Sequence, residues 1–283
     1  MPLSLSPVVA GAVVGALESG SFRPDIALAA GLSAAAIQIG TNLHNDAVDA
    51  INGTDRADRV GPVRVTQRGW VEPRRMLGVA RAAFALAALF GVYLVILGGW
   101  PIVAIGLVSI AAAWGYSSGP WPISRGPFGE LFVLVFFGLV AVATVAWLHT
   151  GSVTSPAILV GAVVGLPATL VLLINNARDI EGDVRAGRKT LAILLGRRGS
   201  IRLAGVFMAA IVFSLLLLAG LGRPWYGALA GLIGLAPAIP IRRMLTERSG
   251  PEAYNASLRQ AVRFQMVLTL AVCTGLVLAA WVG

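Results

Sequence analysis

The first stretch of the chain with the residue types for metal and anion chemistry is TNLHNDAVDAINGTDRADRVGPVRVTQRG, residues 41–69. Asn42, Asp46 and Asp49 are spaced i, i+4 and i+7, and Asn45 lies four residues before Asp49. On a helix these spacings place the side-chain oxygens on one face. Carboxylate and amide oxygens are hard ligands, which suit Mg²⁺ with a phosphorylated substrate better than a soft metal. Asp46 and Asp49 are therefore candidate magnesium ligands.

A second stretch, NNARDIEGDVRAGRKTLAILLGR at residues 175–197, shows a similar pattern. Asn175, Asp179 and Asp183 step i, i+4 and i+8 along one helical face. An ionised carboxylate at the centre of a membrane helix costs about 2.5–3.5 kcal/mol on insertion scales. Acids at two converging helix ends would also repel one another. Bridging cations relieve both problems, so Asp179 and Asp183 are also candidate magnesium ligands.

Basic side chains surround both stretches and could hold further anionic oxygens. Carboxylates, Mg²⁺ and Arg or Lys together are typical of a diphosphate site. The chain has only two His and one Cys, so no cluster of these residues offers a zinc site. The basic candidates are Arg59, Arg64, Arg68, Arg178, Arg185, Arg188 and Lys189.

The composition indicates the scaffold that must position these groups. Of the 283 residues, 57% are hydrophobic and 12% are charged, and the mean hydropathy is +0.81. A soluble domain carries roughly 25% charged residues, so a soluble globular protein and a disordered one are excluded. The sequence lacks alternating segments of about ten residues, which argues against an outer-membrane barrel. We predict an all-α polytopic membrane protein.

Nine apolar runs are candidates for the membrane-spanning helices, each of which needs about 20 apolar residues. The first, fourth and eighth runs are short. The runs lie near residues 4–17, 26–45, 76–98, 101–116, 128–149, 153–175, 200–221, 225–241 and 261–281.

An internal regularity relates the two acidic stretches. The pattern N-x-x-x-D ends the second predicted span and recurs at the end of the sixth, each time before a basic loop that contains glycine. We interpret the chain, residues 1–283, as a single transmembrane domain built from two related four-helix halves and one further helix. The halves are predicted at about 1–116 and 128–241, and the ninth helix at about 261–281.

The charge distribution predicts the orientation in the membrane. The net charge is +9, from 22 basic and 13 acidic residues. The basic residues concentrate in every second loop between the predicted spans. This distribution places the N-terminus and both motif loops in the cytoplasm and the C-terminus outside. The excess charge is therefore explained by topology, and we predict no nucleic-acid partner. The basic segments are 46–75, 117–127, 176–199 and 242–260.

Both acidic stretches resemble the UbiA superfamily of intramembrane aromatic prenyltransferases, and they are most similar to its menaquinone branch, which uses 1,4-dihydroxy-2-naphthoate. The segment YSSGPWPISRGPFGELFVLVFFGLVAV, residues 116–142, resembles the same branch. The resemblance implies nine transmembrane helices around a central cavity and a multi-pass protein of a bacterial or archaeal cell membrane, in contact with lipid. It also implies two Mg²⁺ ions that bridge a polyprenyl diphosphate, with a dihydroxynaphthoate-like aromatic acceptor as the second substrate.

The resemblance also implies roles for individual residues. The acids already identified, together with Asn45, become the metal ligands, and the acids and Lys189 become the catalytic set. The diphosphate would be held by Asn45, Arg59, Arg64, Asn175, Arg178, Arg188 and Lys189. Two aromatic residues, Tyr116 and Phe128, are candidates for cation–π stabilisation. The chain departs from the family pattern at residue 53, which is Gly where an acid is expected.

The resemblance implies magnesium-assisted C-prenylation, in which an electron-rich ring attacks an allylic cation. An aromatic nucleophile explains why no Ser-His-Asp or Cys-His set is apparent. Three alternatives remain at this stage. A secondary transporter also uses intramembrane acids, but near the midplane of broken helices. A CDP-alcohol phosphotransferase has Gly after the second Asp of its D-x-x-D pattern, whereas residue 50 here is Ala. Another UbiA-type enzyme would use a different acceptor.

Overall fold

A computed structural model of the protein describes residues 2–53, 64–241 and 251–282. All the regular structure within these ranges is helical. We number the helices in chain order: α1 (Pro2–Ser19), α2 (Pro24–Ile51), α3 (Pro73–Gly98), α4 (Trp100–Gly115), α5 (Gly129–Thr150), α6 (Ser155–Arg178), α7 (Ile180–Arg185), α8 (Leu191–Gly220), α9 (Trp225–Ile241) and α10 (Pro251–Trp281). A short 3-10 turn, Ile123–Arg125, lies between α4 and α5.

The prediction of an all-helical polytopic membrane protein is confirmed. Within the described ranges, seven helices are long and apolar enough to cross a membrane: α1, α2, α3, α5, α6, α8 and α10. Two further apolar helices, α4 and α9, are shorter and match the short fourth and eighth predicted spans. Most of α9, Trp225–Ala238, has 3-10 geometry. The division into two halves plus a ninth helix stays a prediction.

Local sequence signals explain where the helices begin. Pro24 and Pro73 open α2 and α3, each after a residue in extended conformation, because a proline costs nothing at the first helical position. Thr154 caps α6, where its hydroxyl accepts a hydrogen bond from the Ala157 backbone N–H at 3.3 Å.

Helix α6 lies at the centre of the bundle, where it contacts α1, α5, α8 and α10. Glycines allow the closest of these approaches: a Cβ on Gly138 of α5 would lie 2.7 Å from the Gly165 Cα of α6. The residues around Gly138, Val135–Val140, form a π-helical segment within α5. By contrast, α3 is apolar and mostly exposed, as is typical of a helix on the outside of a membrane bundle. The acidic ends of α2 and α6 meet at one end of the bundle, which we call the motif end.

Candidate active site

The end of α2 is contacted by the segment that begins at Arg64, within the first acidic stretch. Asp46 and Asp49 are both buried. The Thr66 hydroxyl donates to the Asp46 carboxylate. The Arg64 guanidinium donates to Asp49 Oδ2 at 2.6 Å and to the Asn45 carbonyl oxygen at 3.4 Å. Arg64 therefore offsets the charge of Asp49, whereas Asp46 is contacted by a neutral hydroxyl.

The end of α6 is organised by one buried arginine. Helix α6 ends at Arg178, and the backbone breaks at Asp179 before α7 begins. The Arg178 side chain is only 1% exposed. Its Nε and Nη2 atoms each donate to the Asp179 carboxylate at 2.7 Å. The same guanidinium also donates to the side-chain oxygens of Asn175 and Asn255, both at 2.8 Å. Arg178 therefore holds its neighbours in place.

Arg188 joins the two acidic ends. Its Nη2 atom lies 2.9 Å from Asp49 Oδ1, and its Nη1 atom lies 3.3 Å from Asp183 Oδ1. The Arg188 Nε atom is buried and has no hydrogen-bond partner. Burial raises the pKa of the Asp183 carboxyl to about 6, with Arg188 acting in the lowering direction and Asp179 and Asp49 in the raising direction. One guanidinium thus occupies the space between carboxylates of both motifs.

Three other predicted site residues do not join this cluster. The Lys189 side chain is exposed. Within the described ranges it forms no ion pair, but its backbone N–H donates to the Arg125 carbonyl at 2.8 Å. Phe128 is 66% exposed, so most of its side chain is not packed against the site. Arg59 lies outside the described residues.

A loop between α4 and α5 connects the acids to an aromatic group. The Ser117 hydroxyl donates to Asn45 Oδ1 at 2.8 Å. The neighbouring Tyr116 ring lies 5.6 Å from the Phe132 ring, and Phe132 lies 4.6 Å from Phe136. Burial raises the pKa of the Tyr116 hydroxyl to about 12, with a further upward contribution from a nearby carboxylate. Tyr116 therefore packs within this aromatic group, and its cation–π role stays a prediction.

An apolar cavity of about 490 Å³ lies beneath this aromatic group and is lined by α1 to α5. Phe132 and Phe136 form part of its wall, together with Gln38 of α2 and Ala113 of α4. On its outer flank, Ile96 is 74% exposed. The cavity therefore opens sideways between the helices towards the lipid and ends, on the inside, below the acids.

Several residues of this region were not predicted from the sequence. Thr66, Ser117 and Asn255 contact the motif residues from segments that are distant in the chain. Glu130 is buried in α5 and accepts a hydrogen bond from Asn176 at 3.0 Å. Glu130 could have been predicted from the sequence as a site residue, because an acidic residue inside an apolar run indicates function. The polar contacts of Thr66 and Ser117 carry no such signal.

The donor set fits magnesium bound together with a diphosphate. Within the described residues, no three His, Cys, Asp or Glu side chains come close enough to enclose a metal ion. Mg²⁺ does not need such an enclosure, because it usually binds one or two carboxylates and takes its other ligands from phosphate oxygens and water. Each acidic end offers two carboxylates for this purpose: Asp46 and Asp49 on one side, and Asp179 and Asp183 on the other.

A helical membrane bundle with paired acids above a lipid-facing apolar cavity has the features of an enzyme that handles an amphipathic diphosphate. The sequence matches the UbiA prenyltransferase family over residues 4–267. The chain belongs to this family. The predicted resemblance and the prediction of a prenyltransferase are confirmed, and the family does not support the transporter or phosphotransferase alternatives.

Curated relatives include three proteins named 1,4-dihydroxy-2-naphthoate octaprenyltransferase. The Mycobacterium tuberculosis protein is 36% identical over 281 residues, which cover 98% of this chain and 93% of that protein. The Escherichia coli protein is 31% identical over 292 residues, covering 99% and 93%. The Bacillus subtilis protein is 38% identical over 191 residues, covering 67% of this chain and 61% of that protein.

Solved structures show the same fold at low sequence identity. A UbiA homologue from Aeropyrum pernix K1 matches with a TM-score of 0.70 at 17% identity, covering 97% of both chains. A UbiA homologue from Archaeoglobus fulgidus, bound to DMAPP and Mg²⁺, matches with a TM-score of 0.64 at 13% identity, covering 95% of both chains.

Proposed function

We propose that the protein transfers a polyprenyl group from polyprenyl diphosphate to 1,4-dihydroxy-2-naphthoate, in a reaction that depends on Mg²⁺ and releases diphosphate and CO₂. The product would be demethylmenaquinol. The names of the curated relatives support this acceptor. The observation that carries the proposal is that the paired acids, joined by Arg188, lie about two turns of α2 beyond an apolar cavity that opens to lipid.

The acids have the chemistry to hold the metal. We propose two Mg²⁺ ions, one bound by Asn45, Asp46 and Asp49 and the other by Asp179 and Asp183. When bound, these ions supply positive charge that stabilises the negative charge developing on the leaving diphosphate. Arg188 lies between Asp49 and Asp183 and already offsets part of the negative charge of these two carboxylates.

The arginines divide into two roles. Arg64 and Arg188 are partly exposed and pair with the acids, so they can turn to phosphate oxygens once the acids bind metal. A guanidinium suits this contact because it can donate two parallel hydrogen bonds to an anion. Arg178 donates to three side chains and is buried, so we assign it a positioning role. Lys189, which is exposed, would reach the diphosphate only by moving its side chain.

The cavity supplies the environment for the organic half of the reaction. The prenyl tail would lie between α2, α3, α4 and α5, where its burial removes apolar surface from water. The C–O bond to the diphosphate breaks, and both electrons leave with the diphosphate. The ring carbon that carries the carboxylate then bonds to the prenyl C1. The bond from that carbon to the carboxylate breaks, so that CO₂ leaves and the electron pair returns to the ring. Apolar walls exclude water, which would otherwise capture the allylic cation. The Tyr116 ring, next to Phe132, would face the cation.

We also propose that the motif end faces the cytoplasm. Both segments after the acidic helices are basic, and basic loops remain on the cytoplasmic side. The N-terminus would then be cytoplasmic and the C-terminus outside.

The test is turnover by the purified protein with Mg²⁺, a polyprenyl diphosphate and a panel of aromatic acceptors. The expected result is a prenylated, decarboxylated product from 1,4-dihydroxy-2-naphthoate, with loss of turnover when Mg²⁺ is chelated. If the protein prenylates 4-hydroxybenzoate but not the naphthoate, the proposed acceptor is wrong and 4-hydroxybenzoate takes its place. Absence of product from every acceptor would overturn the proposal.

A further inference from the structure

Gln38 is a buried polar side chain in the wall of the apolar cavity. It projects from α2 and is 8% exposed. Its Oε1 atom is buried and has no hydrogen-bond partner. A buried acceptor without a donor is unfavourable and uncommon, so this oxygen is a candidate contact for a bound molecule. By contrast, Ser33 on the same wall is satisfied, because its hydroxyl donates to the Ala87 carbonyl at 3.0 Å.

The position of Gln38 relates it to the acids. It is the cavity-lining residue of α2 that is closest along the helix to the first motif. Asn45 follows seven residues later, so it lies on almost the same helical face and about 10 Å further along the axis. A diphosphate bound at Asn45 and Asp49 is too far away to hydrogen-bond to Gln38. A second molecule that binds in the cavity, below the diphosphate, can reach Gln38.

A ligand that satisfies this oxygen is a hydrogen-bond donor that can enter an apolar cavity. A prenyl tail has no donor, and an ionised carboxylate has none either. A ring hydroxyl has one. Phe132 lies at the same end of the cavity, next to Tyr116, and these aromatic faces suit a flat ring.

We propose that Gln38 Oε1 accepts a hydrogen bond from a ring hydroxyl of the aromatic acceptor and so orients the ring beneath the prenyl C1. This inference rests on the proposed function and deepens it. Gln38 is then a determinant of acceptor specificity: hydroxylated rings bind, and rings without a hydroxyl at this position leave Oε1 unpaired. Pockets of this kind are mostly apolar, and a few polar groups fix the orientation of the ligand.

The first test is the Gln38→Leu variant, in steady-state kinetics with each substrate varied in turn. Loss of one hydrogen bond should raise the KM for the aromatic acceptor about tenfold. The KM for the polyprenyl diphosphate should not change. The substrate-free variant should unfold at the same temperature as the wild type or higher, because the change removes an unsatisfied buried oxygen.

Gln265→Leu is the matched control. Gln265 lies in α10, is fully buried and also has an unpartnered Oε1 atom, but it is not among the residues that line this cavity. Removal of its amide should leave both KM values unchanged. An equal rise in the acceptor KM in both variants would overturn the assignment to Gln38.

Methyl ethers of the acceptor, one at each ring hydroxyl, distinguish the proposed function of the protein from the proposed role of Gln38. The wild type should discriminate about tenfold against one ether, and Gln38→Leu should lose that discrimination. Failure of the wild type to use dihydroxynaphthoate at all would refute the proposed function. Turnover of dihydroxynaphthoate with an unchanged acceptor KM in Gln38→Leu would refute only the role of Gln38. If the Gln38→Leu variant unfolds, the discrimination between the acceptor and its methyl ethers is measured in the wild type and in Gln38→Asn. Absence of discrimination by the wild type would overturn the inference.

Discussion

The two acidic ends are built differently, although they share a sequence pattern. The end of α2 is held by residues from elsewhere in the chain: Arg64, Thr66, Ser117 and Arg188. The end of α6 is held chiefly by Arg178, which belongs to the same helix. The first end therefore depends on correct closure of several loops, whereas the second is largely organised by its own helix. Similar motifs can thus reach similar positions by long-range and by local contacts.

The largest effect should follow replacement of the local organiser. Arg178→Gln would leave the Asp179 carboxylate without its bidentate partner. Removal of one partner from a buried ion pair typically costs about 3–5 kcal/mol, and we expect a loss of this size in the free energy of unfolding, measured by denaturant titration in mixed micelles.

Arg64→Gln is the comparison variant for the other end. Asp49 would still be paired with Arg188, so the loss should be about 1 kcal/mol. An equal loss of stability in the two variants would contradict the distinction between a locally and a distantly organised end.

Asp49→Asn should have the next largest effect, on activity. It removes a proposed metal ligand and the partner of both Arg64 and Arg188. We expect kcat/KM to fall about 10²–10³-fold, as when one group that stabilises transition-state charge is removed, while the variant still folds. Glu72→Gln is the control, because Glu72 is an exposed acid that pairs with Arg75. Normal turnover by Asp49→Asn would contradict the metal assignment.

Arg188→Gln tests the connection between the two ends. Loss of a charge-assisted hydrogen bond should raise the KM for the polyprenyl diphosphate about 10–30-fold. The acceptor KM should change little, which distinguishes this variant from Gln38→Leu. Arg75→Gln, a change to an exposed arginine of the ion pair with Glu72, should leave both constants unaltered. An unchanged diphosphate KM in Arg188→Gln would show that Arg188 has only a structural role.

Ser117→Ala should have the smallest effect. It removes one neutral hydrogen bond, to Asn45, whose net value is about 0.5–1.5 kcal/mol. We expect turnover to fall about threefold. Ser118→Ala removes a comparable bond to His44 and should have less effect, because His44 is not a proposed ligand. Larger loss in Ser118→Ala would identify His44 as the more important contact of this loop.

The sequence predicts the helix positions well, because they depend on local spacing. It does not predict the break at Asp179, which puts Asp183 on α7 and not on the same helix as Asn175. Asp46, Asp49 and Asp183 are buried at the motif end. Burial of individual basic and aromatic side chains is not local. Arg178 and Lys189 are both predicted to bind the diphosphate, but the first side chain is enclosed and the second exposed.

Aromatic residues and loop contacts show the same limit. Tyr116 and Phe128 flank one short loop, but only Tyr116 packs against the cavity wall. Which of the two side chains is covered depends on how the flanking helices α4 and α5 pack in the bundle. Spacing within one segment does not encode this. Contacts such as Thr66 with Asp46 likewise depend on the path of the loop in three dimensions.

The sideways opening of the cavity has a consequence for how the enzyme would be supplied. A polyprenyl substrate that enters between α2, α3 and α4 does not cross the aqueous phase, so its effective concentration is its mole fraction in the bilayer. The proposed prenylated product would leave by the same route and diffuse laterally in the membrane. Rates measured in detergent should therefore follow surface dilution: more detergent at constant total substrate spreads the substrate over more micelles and slows turnover.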